Sequence, residues 1–225
     1  MVERIFLAGA SRGVGREIAK NLTTSSLFQN YAITALLRDI TYQVEFGAVG
    51  IFVAIADALN STDLEQIMLR EAPDLVISTI GGLPKDGVRA DFLGNKNLID
   101  AAVKAKVKKF ILITSIGSGN SAEALPPQAL QALSSVLVEK AQAENYLIES
   151  GLTYTIIRPG GLKSEPPTGK GILTENPKIS GTIHRADVAD LVCQCLRSDR
   201  CDNKILAAID RDKIYNPIPF EEFLL

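Results

Sequence analysis

The chain has 225 residues, with 24 Lys and Arg against 26 Asp and Glu, and a formal net charge of −2. That length suits one large α/β domain spanning residues 1–225 and is too short for two ordinary domains of equal size. The near-balanced, dispersed charge argues against a nucleic-acid or anionic-membrane surface, because the one basic stretch, residues 104–109, sits where a helix end meets a strand and cations favour that end of the helix dipole.

Met1-Val2-Glu3-Arg4 leads straight into an apolar run at 4–8, without signal- or transit-peptide character, so a cytoplasmic location is expected. Gly9-Ala10-Ser11-Arg12-Gly13-Val14-Gly15 follows, and a helical pattern occupies 13–24. A strand that turns sharply into a helix leaves unpaired N–H groups and partial positive charge at the helix start, where a pyrophosphate fits. Glycine at 9, 13 and 15 allows a tight turn and close approach of backbone to phosphate. Gly9, Ser11, Arg12, Gly13, Val14 and Gly15 are therefore candidate cofactor ligands, although an ordinary strand-to-helix turn uses similar residues.

The second strand, 31–37, ends in Leu36-Leu37-Arg38-Asp39. A carboxylate at this strand end serves a ribose 2′-hydroxyl, whereas a 2′-phosphate needs a cation. Arg38, with Arg12 nearby, favours NADP(H); Asp39 leaves the 2′-hydroxyl reading open. After the third strand, 50–54, Asp57 and Ala58 are placed to meet adenine, and Asp57 serves equally as a turn or cap residue ahead of the helix at 61–70. The fourth strand, 75–79, ends in Thr79-Ile80-Gly81-Gly82, where Thr79 and Gly81 would pass close to the nicotinamide ribose or simply turn.

A helix at 90–106, a strand at 110–114, a helix at 128–150, a strand at 153–157, a helix at 186–197 and a strand at 204–209 complete the alternation. The pattern predicts a single-domain, doubly wound parallel sheet of about seven strands, Rossmann-like, with helices on both faces. Residues 81–91, 116–127 and 159–182 fit neither period and are expected as loops at the ligand-binding edge. Cys193, Cys195 and Cys201 lack a C-x-x-C pair and His184 is the only histidine, so no metal site is expected and the cysteines read as small buried hydrophobes. No apolar run reaches membrane-spanning length.

Taken together, residues 9–15, Leu37-Arg38-Asp39, residues 94–102, Ile113-Thr114-Ser115-Ile116-Gly117, residues 150–162 and Arg185-Ala186-Asp187-Val188-Ala189 resemble the atypical short-chain dehydrogenase/reductase family. The likeness covers nearly the whole chain and points to the small NAD(P)H-binding branch that includes flavin reductase/biliverdin-IXβ reductase. The family's usual catalytic set is a Ser or Thr at the end of the fifth strand plus Tyr-x-x-x-Lys on the next helix. Ser115 and Lys140 match it, which implies Ser115 orienting substrate and Lys140 holding the nicotinamide ribose, although a strand-end hydroxyl also serves as a backbone cap and a lysine on an amphipathic helix as a solvated charge; Val136 stands where the tyrosine should be. Valine transfers no proton. Tyr146 lies six residues beyond Lys140, roughly the far side of a helix of ~3.6 residues per turn, and Tyr154 falls in a strand.

The resemblance further implies cofactor contacts from Thr114 and from Pro159-Gly160-Gly161-Leu162, beside the nicotinamide carboxamide. The histidine that the biliverdin-IXβ type carries after its sixth strand is replaced near Gly160. His184 through Ala189 resembles a structural motif at the start of the last long helix. The function expected is an NADPH-dependent reductase delivering hydride to a conjugated small molecule, a flavin, biliverdin-type tetrapyrrole or quinone, that needs no tyrosine. The rival expectation is a non-catalytic NADPH-binding redox sensor or assembly factor with a protein partner. A sugar-modifying isomerase would need an acid–base group that the sequence does not supply.

Overall fold

The computed structural model describes residues 2–82, 88–216 and 218–225. In chain order the elements are β1 (Glu3–Ala8), α1 (Gly13–Thr24), β2 (Tyr31–Leu37), α2 (Gln43–Ala48), β3 (Phe52–Ile55), α3 (Ser61–Glu71), β4 (Leu75–Ser78), α4 (Leu93–Lys104), β5 (Lys109–Ile113) and α5 (Pro127–Glu149). They continue with β6 (Tyr154–Pro159), β7 (Gly161–Lys163), β8 (Gly171–Thr174), β9 (Thr182–His184), α6 (Arg185–Leu196) and β10 (Lys204–Asp210).

Alternation within the strands splits the core into two layers. Ile5 and Leu7 of β1 join Ile77, Ile111 and Ile157 beneath α1 and α6, whereas Phe6, Val76, Phe110 and Ile156 face α3, α4 and α5. Side chains apolar on both sides of a strand require helices on both faces, and parallel pairing follows. The main sheet runs β3-β2-β1-β4-β5-β6-β10-β8, parallel throughout except for β8 against β10. The chain leaves β1 toward β2 in one direction and returns to β4 on the other side, so the switch point lies between β1 and β4. Ligands of such sheets bind at the carboxyl ends of the strands there.

The segment 159–182, expected as a loop, instead contributes β7, β8 and the start of β9. Gly171–Thr174 adds an eighth strand to the sheet, and β7 pairs with β9 in a small second one. Strands of three or four residues are too short to show a period, which is why the sequence pattern misses them. Residues 116–127 contain a single 3₁₀ segment, Gly119–Ala124, and of the expected loop 81–91, residues 83–87 lie outside the described ones. All three cysteines are buried, and burial pushes the Cys193 thiol up to about 12.

Close approach sets the glycine turn. Gly9 has φ +90° and Gly13 φ +59°, while a Cβ on Gly15 would stand 2.2 Å from the Gly9 carbonyl oxygen. Gly15→Ala should lower stability by about 1–3 kcal/mol, because backbone must move to admit the methyl group. Gly13→Ala meets only Arg185 Nε, at an ordinary contact distance of 3.8 Å, and carries the left-handed penalty, about 1 kcal/mol. Denaturant melts of both variants check this; equal losses would rule out the close contact as the reason for Gly15.

Candidate functional site

At the carboxyl ends of β1, β2 and β4 lies a cavity of about 1010 Å³. Gly9, Ser11, Arg12 and Gly13 form its floor at the start of α1, and Thr79 anchors them by donating its hydroxyl to the Ala8 and Gly9 carbonyls at 3.2 and 3.1 Å. Val14 turns its side chain into the core beneath, and only its backbone faces the turn.

Arg38, Asp57 and Ala58 line the cavity at the carboxyl ends of β2 and β3. Asp39 is occupied locally: the Thr41 N–H donates to Asp39 Oδ1 at 2.9 Å, and the bonds from Thr41 hold its carboxyl below the usual range. Asp57 does the same for its own turn, accepting the Leu59 N–H at Oδ1 at 2.9 Å. Arg38 is exposed and, among the described residues, forms no ion pair; the same is true of Arg12, whose Nη2 lies 3.6 Å from the place a Cβ on Gly82 would take. Arg16, by contrast, pairs with Glu45 and lies 5.0 Å from the Tyr42 ring centroid, which ties α1 to α2 as the side wall.

Toward the other end, Gly81 lies against a buried ion pair that sequence reasoning missed. Asp91, with no exposed side-chain surface, accepts from Arg89 at 3.0 Å and from the Gly82 N–H at 2.9 Å, and faces Lys140 Nζ at 3.1 Å. A Cβ on Gly81 would meet Asp91 Oδ1 at 2.6 Å, so glycine is required for the turn to pass over the pair. Lys140 thus sits next to the Gly81 turn, outside the cavity lining. Nothing in the sequence marks Asp91 as its partner, since 49 positions separate them.

Ser115 is half-buried and donates its hydroxyl to the Ile116 carbonyl at 2.9 Å. The Thr114 hydroxyl points away from the cavity, into a buried cluster, and donates to Glu144 Oε1 at 2.6 Å. Pro159, Gly160 and Gly161 lie outside the lining, held by backbone bonds: Ile116 N to Pro159 O, Gly160 N to Ala208 O and Gly161 N to Gly181 O, each at 2.9 Å. Gly160 is needed for packing, since a Cβ there would stand 2.3 Å from the Gly181 oxygen. Leu162 does line the cavity, with Ser164, Glu165 and Arg185, none of which the sequence singled out as ligands. Tyr146 donates to Asp100 at 2.6 Å, away from Lys140, as its helical register predicts.

A doubly wound sheet with a glycine turn at its switch point, and arginines over the crevice that form no ion pair among the described residues, defines a dinucleotide-binding protein of the Rossmann-like class. The donor set fits a pyridine dinucleotide: helix-start N–H groups for a pyrophosphate, guanidinium groups for further phosphate, and a cavity long enough to reach from Arg38 to Gly81. The chain belongs to the NAD(P)H-binding family, whose model matches residues 9–199.

Among solved structures, ChuY of Escherichia coli O157:H7, described as an anaerobilin reductase, superposes with a TM-score of 0.84 at 29% identity, covering 96% of this chain and 100% of that one. An uncharacterised chloroplast protein of Arabidopsis thaliana is 31% identical over 93% of this chain and 77% of its own length. Sanguinarine reductase of Eschscholzia californica is 36% identical over 52% of this chain and 43% of its own. These likenesses agree with the atypical short-chain dehydrogenase/reductase resemblance and its reductase branch. Among the described residues, no helix is long and apolar enough to cross a membrane, and no group of three or more His, Cys, Asp or Glu could hold a metal ion.

Proposed function

We propose that this protein is an NADPH-dependent reductase acting on a conjugated acceptor, a flavin, a biliverdin-type tetrapyrrole or a quinone. The observation that carries the reading is the fate of the acid–base set: Val136 occupies the tyrosine position and Lys140 is engaged by buried Asp91, so neither member of the usual pair is poised to protonate an isolated carbonyl. Bound NADPH supplies hydride, and a conjugated acceptor can collect its proton from water.

The protein's own residues do the positioning. Arg12 and Arg38 hold the adenosine-side phosphate, the α1 start holds the pyrophosphate, and Asp57 and Ala58 meet the adenine. Thr79 keeps the glycine turn in register. Lys140, fixed by Asp91 beside Gly81, approaches the nicotinamide ribose, and Leu162 on the cavity wall meets the carboxamide, supported from behind by the backbone bonds of Pro159, Gly160 and Gly161, while Thr114 serves the buried Glu144 cluster. Ser115 orients the acceptor by turning its hydroxyl from the Ile116 carbonyl. Holding two flat π-systems in contact is then the main source of rate acceleration. Reductase is also the activity in the names of the ChuY structure and the Eschscholzia relative.

Purified protein with NADPH and FMN, biliverdin or menadione should consume the reduced-cofactor absorbance faster than the uncatalysed mixture with at least one acceptor. Tight NADPH binding without turnover on any of them would instead support a redox sensor or assembly factor. The local bonding of Ser115 and Lys140 suits that second reading, because neither presents a free reactive group. A protein partner captured with NADPH and released with NADP⁺ would then be expected.

A further inference from the structure

α6 opens on Arg185, and a cation at the first position of a helix stands where the peptide dipoles already place partial positive charge. Acids are favoured there, so the stability of α6 does not account for an arginine. Arg185 is half-buried and lines the cavity. Among the described residues it forms no ion pair, and its one hydrogen bond runs from Nη1 to Ser164 Oγ at 2.7 Å.

Its Nε lies 3.8 Å from the place a Cβ on Gly13 would take, directly beside the first residue of α1. α1 and α6 pack against each other, so two helix amino ends, Arg12 at the cap of one and Arg185 at the start of the other, meet on one rim of the cavity. Asp187, the acid in the first turn of α6, does not neutralise that rim. Its carboxylate accepts from the Thr168 N–H at 2.9 Å and the Gly169 N–H at 2.8 Å. Glu17 and Glu165 also border the cavity, but neither pairs with an arginine of the rim among the described residues. Positive charge concentrated in this way, without a counter-ion among the described residues, is the arrangement that the two negative charges of a pyrophosphate satisfy.

We propose that Arg185 is a ligand of the cofactor pyrophosphate, exchanging Ser164 for phosphate oxygens when the coenzyme binds. The inference rests on the NADP(H)-binding reading and extends it, since the glycine turn alone was expected to hold that group. It also links the coenzyme to the segment between β7 and β8. Ser164 lies in that segment, which the start of α6 otherwise pins through His184 Nδ1 with the Pro166 carbonyl at 2.6 Å and through Asp187.

Calorimetric titration of wild type, Arg185→Ala and Arg185→Lys with NADPH, NADH and 2′-AMP tests this. Arg185→Ala should weaken NADPH and NADH by the same factor, roughly tenfold, as expected for one charge-assisted contact, and leave 2′-AMP, which has no pyrophosphate, unchanged. Lysine, a point charge without the planar fork, should restore part of the loss, and it reads the same contact if the alanine variant does not fold. Unchanged affinity for both dinucleotides, a loss confined to NADPH, or an equal loss for 2′-AMP would overturn the assignment. Failure of the wild type to bind NADPH would instead remove the reductase reading beneath it.

Discussion

Glu144→Ala should destabilise the protein by about 3–5 kcal/mol, the loss typical when one partner of a buried ion pair is removed and the other charge is stranded. Glu144 on α5 is 1% exposed and Arg158 on β6 is 4% exposed. Arg158 Nε and Nη2 donate to the two carboxylate oxygens at 3.0 and 2.6 Å, and the hydroxyls of Thr114 and Ser118 donate to Oε1 at 2.6 and 2.7 Å. Arg158 Nη1 completes the cluster by donating to Asn120. Alanine would therefore strand the Arg158 guanidinium charge and the Thr114 hydroxyl in the interior, while the Ser118 hydroxyl keeps the Ser115 carbonyl at 2.8 Å. The double variant Glu144→Leu with Arg158→Met should recover most of the loss, because well-packed apolar replacements of a buried pair are often neutral. Urea unfolding of the single and double variants measures both quantities. A loss below about 1 kcal/mol for the single variant would mean that the cluster is dispensable to the fold.

That cluster shows why some of the molecule is legible in its sequence and some is not. The glycine turn is local: strand, turn and helix are consecutive, and the expected helix 13–24 coincides with α1. The two-faced strands are legible for the same reason, because the alternation that sorts Ile5 and Leu7 from Phe6 is written in neighbouring residues. Glu144 and Arg158, or Asp91 and Lys140, are brought together only by the crossover connections, and a carboxylate on a helix looks solvated until its partner is known. The short strands β7, β8 and β9 are invisible for another reason: they exist because β10, β9 and β7 offer edges to pair with, and three or four residues carry no periodic signal. Arg185 reads as part of a structural motif in sequence, and only the packing of α6 against α1 carries it to the cavity.

The preference between the two pyridine coenzymes should rest on Arg12 and Arg38. Both line the cavity and neither forms an ion pair among the described residues, whereas Asp39, the residue that would favour a 2′-hydroxyl, is drawn into its own turn by Thr41. A hydrogen bond to a charged group contributes about 1.5–3 kcal/mol, so each arginine is worth roughly tenfold to a hundredfold in affinity for a 2′-phosphate. Arg12→Ala with Arg38→Ala should raise the NADPH Kd by roughly 100- to 10,000-fold while changing that for NADH only a few-fold, which separates this pair from a residue that holds the pyrophosphate common to both coenzymes. Because Arg12 and Arg38 are exposed, salt screens them, and wild-type NADPH affinity should fall with ionic strength more steeply than that of the double variant. Titrations at about 0.01 M and 0.15 M salt compare the slopes, over which the screening length shrinks from about 30 to 8 Å. If both coenzymes weaken equally, or if the two slopes coincide, the 2′-phosphate is held elsewhere, and the commitment of Asp39 to Thr41 would then be a feature of the turn alone.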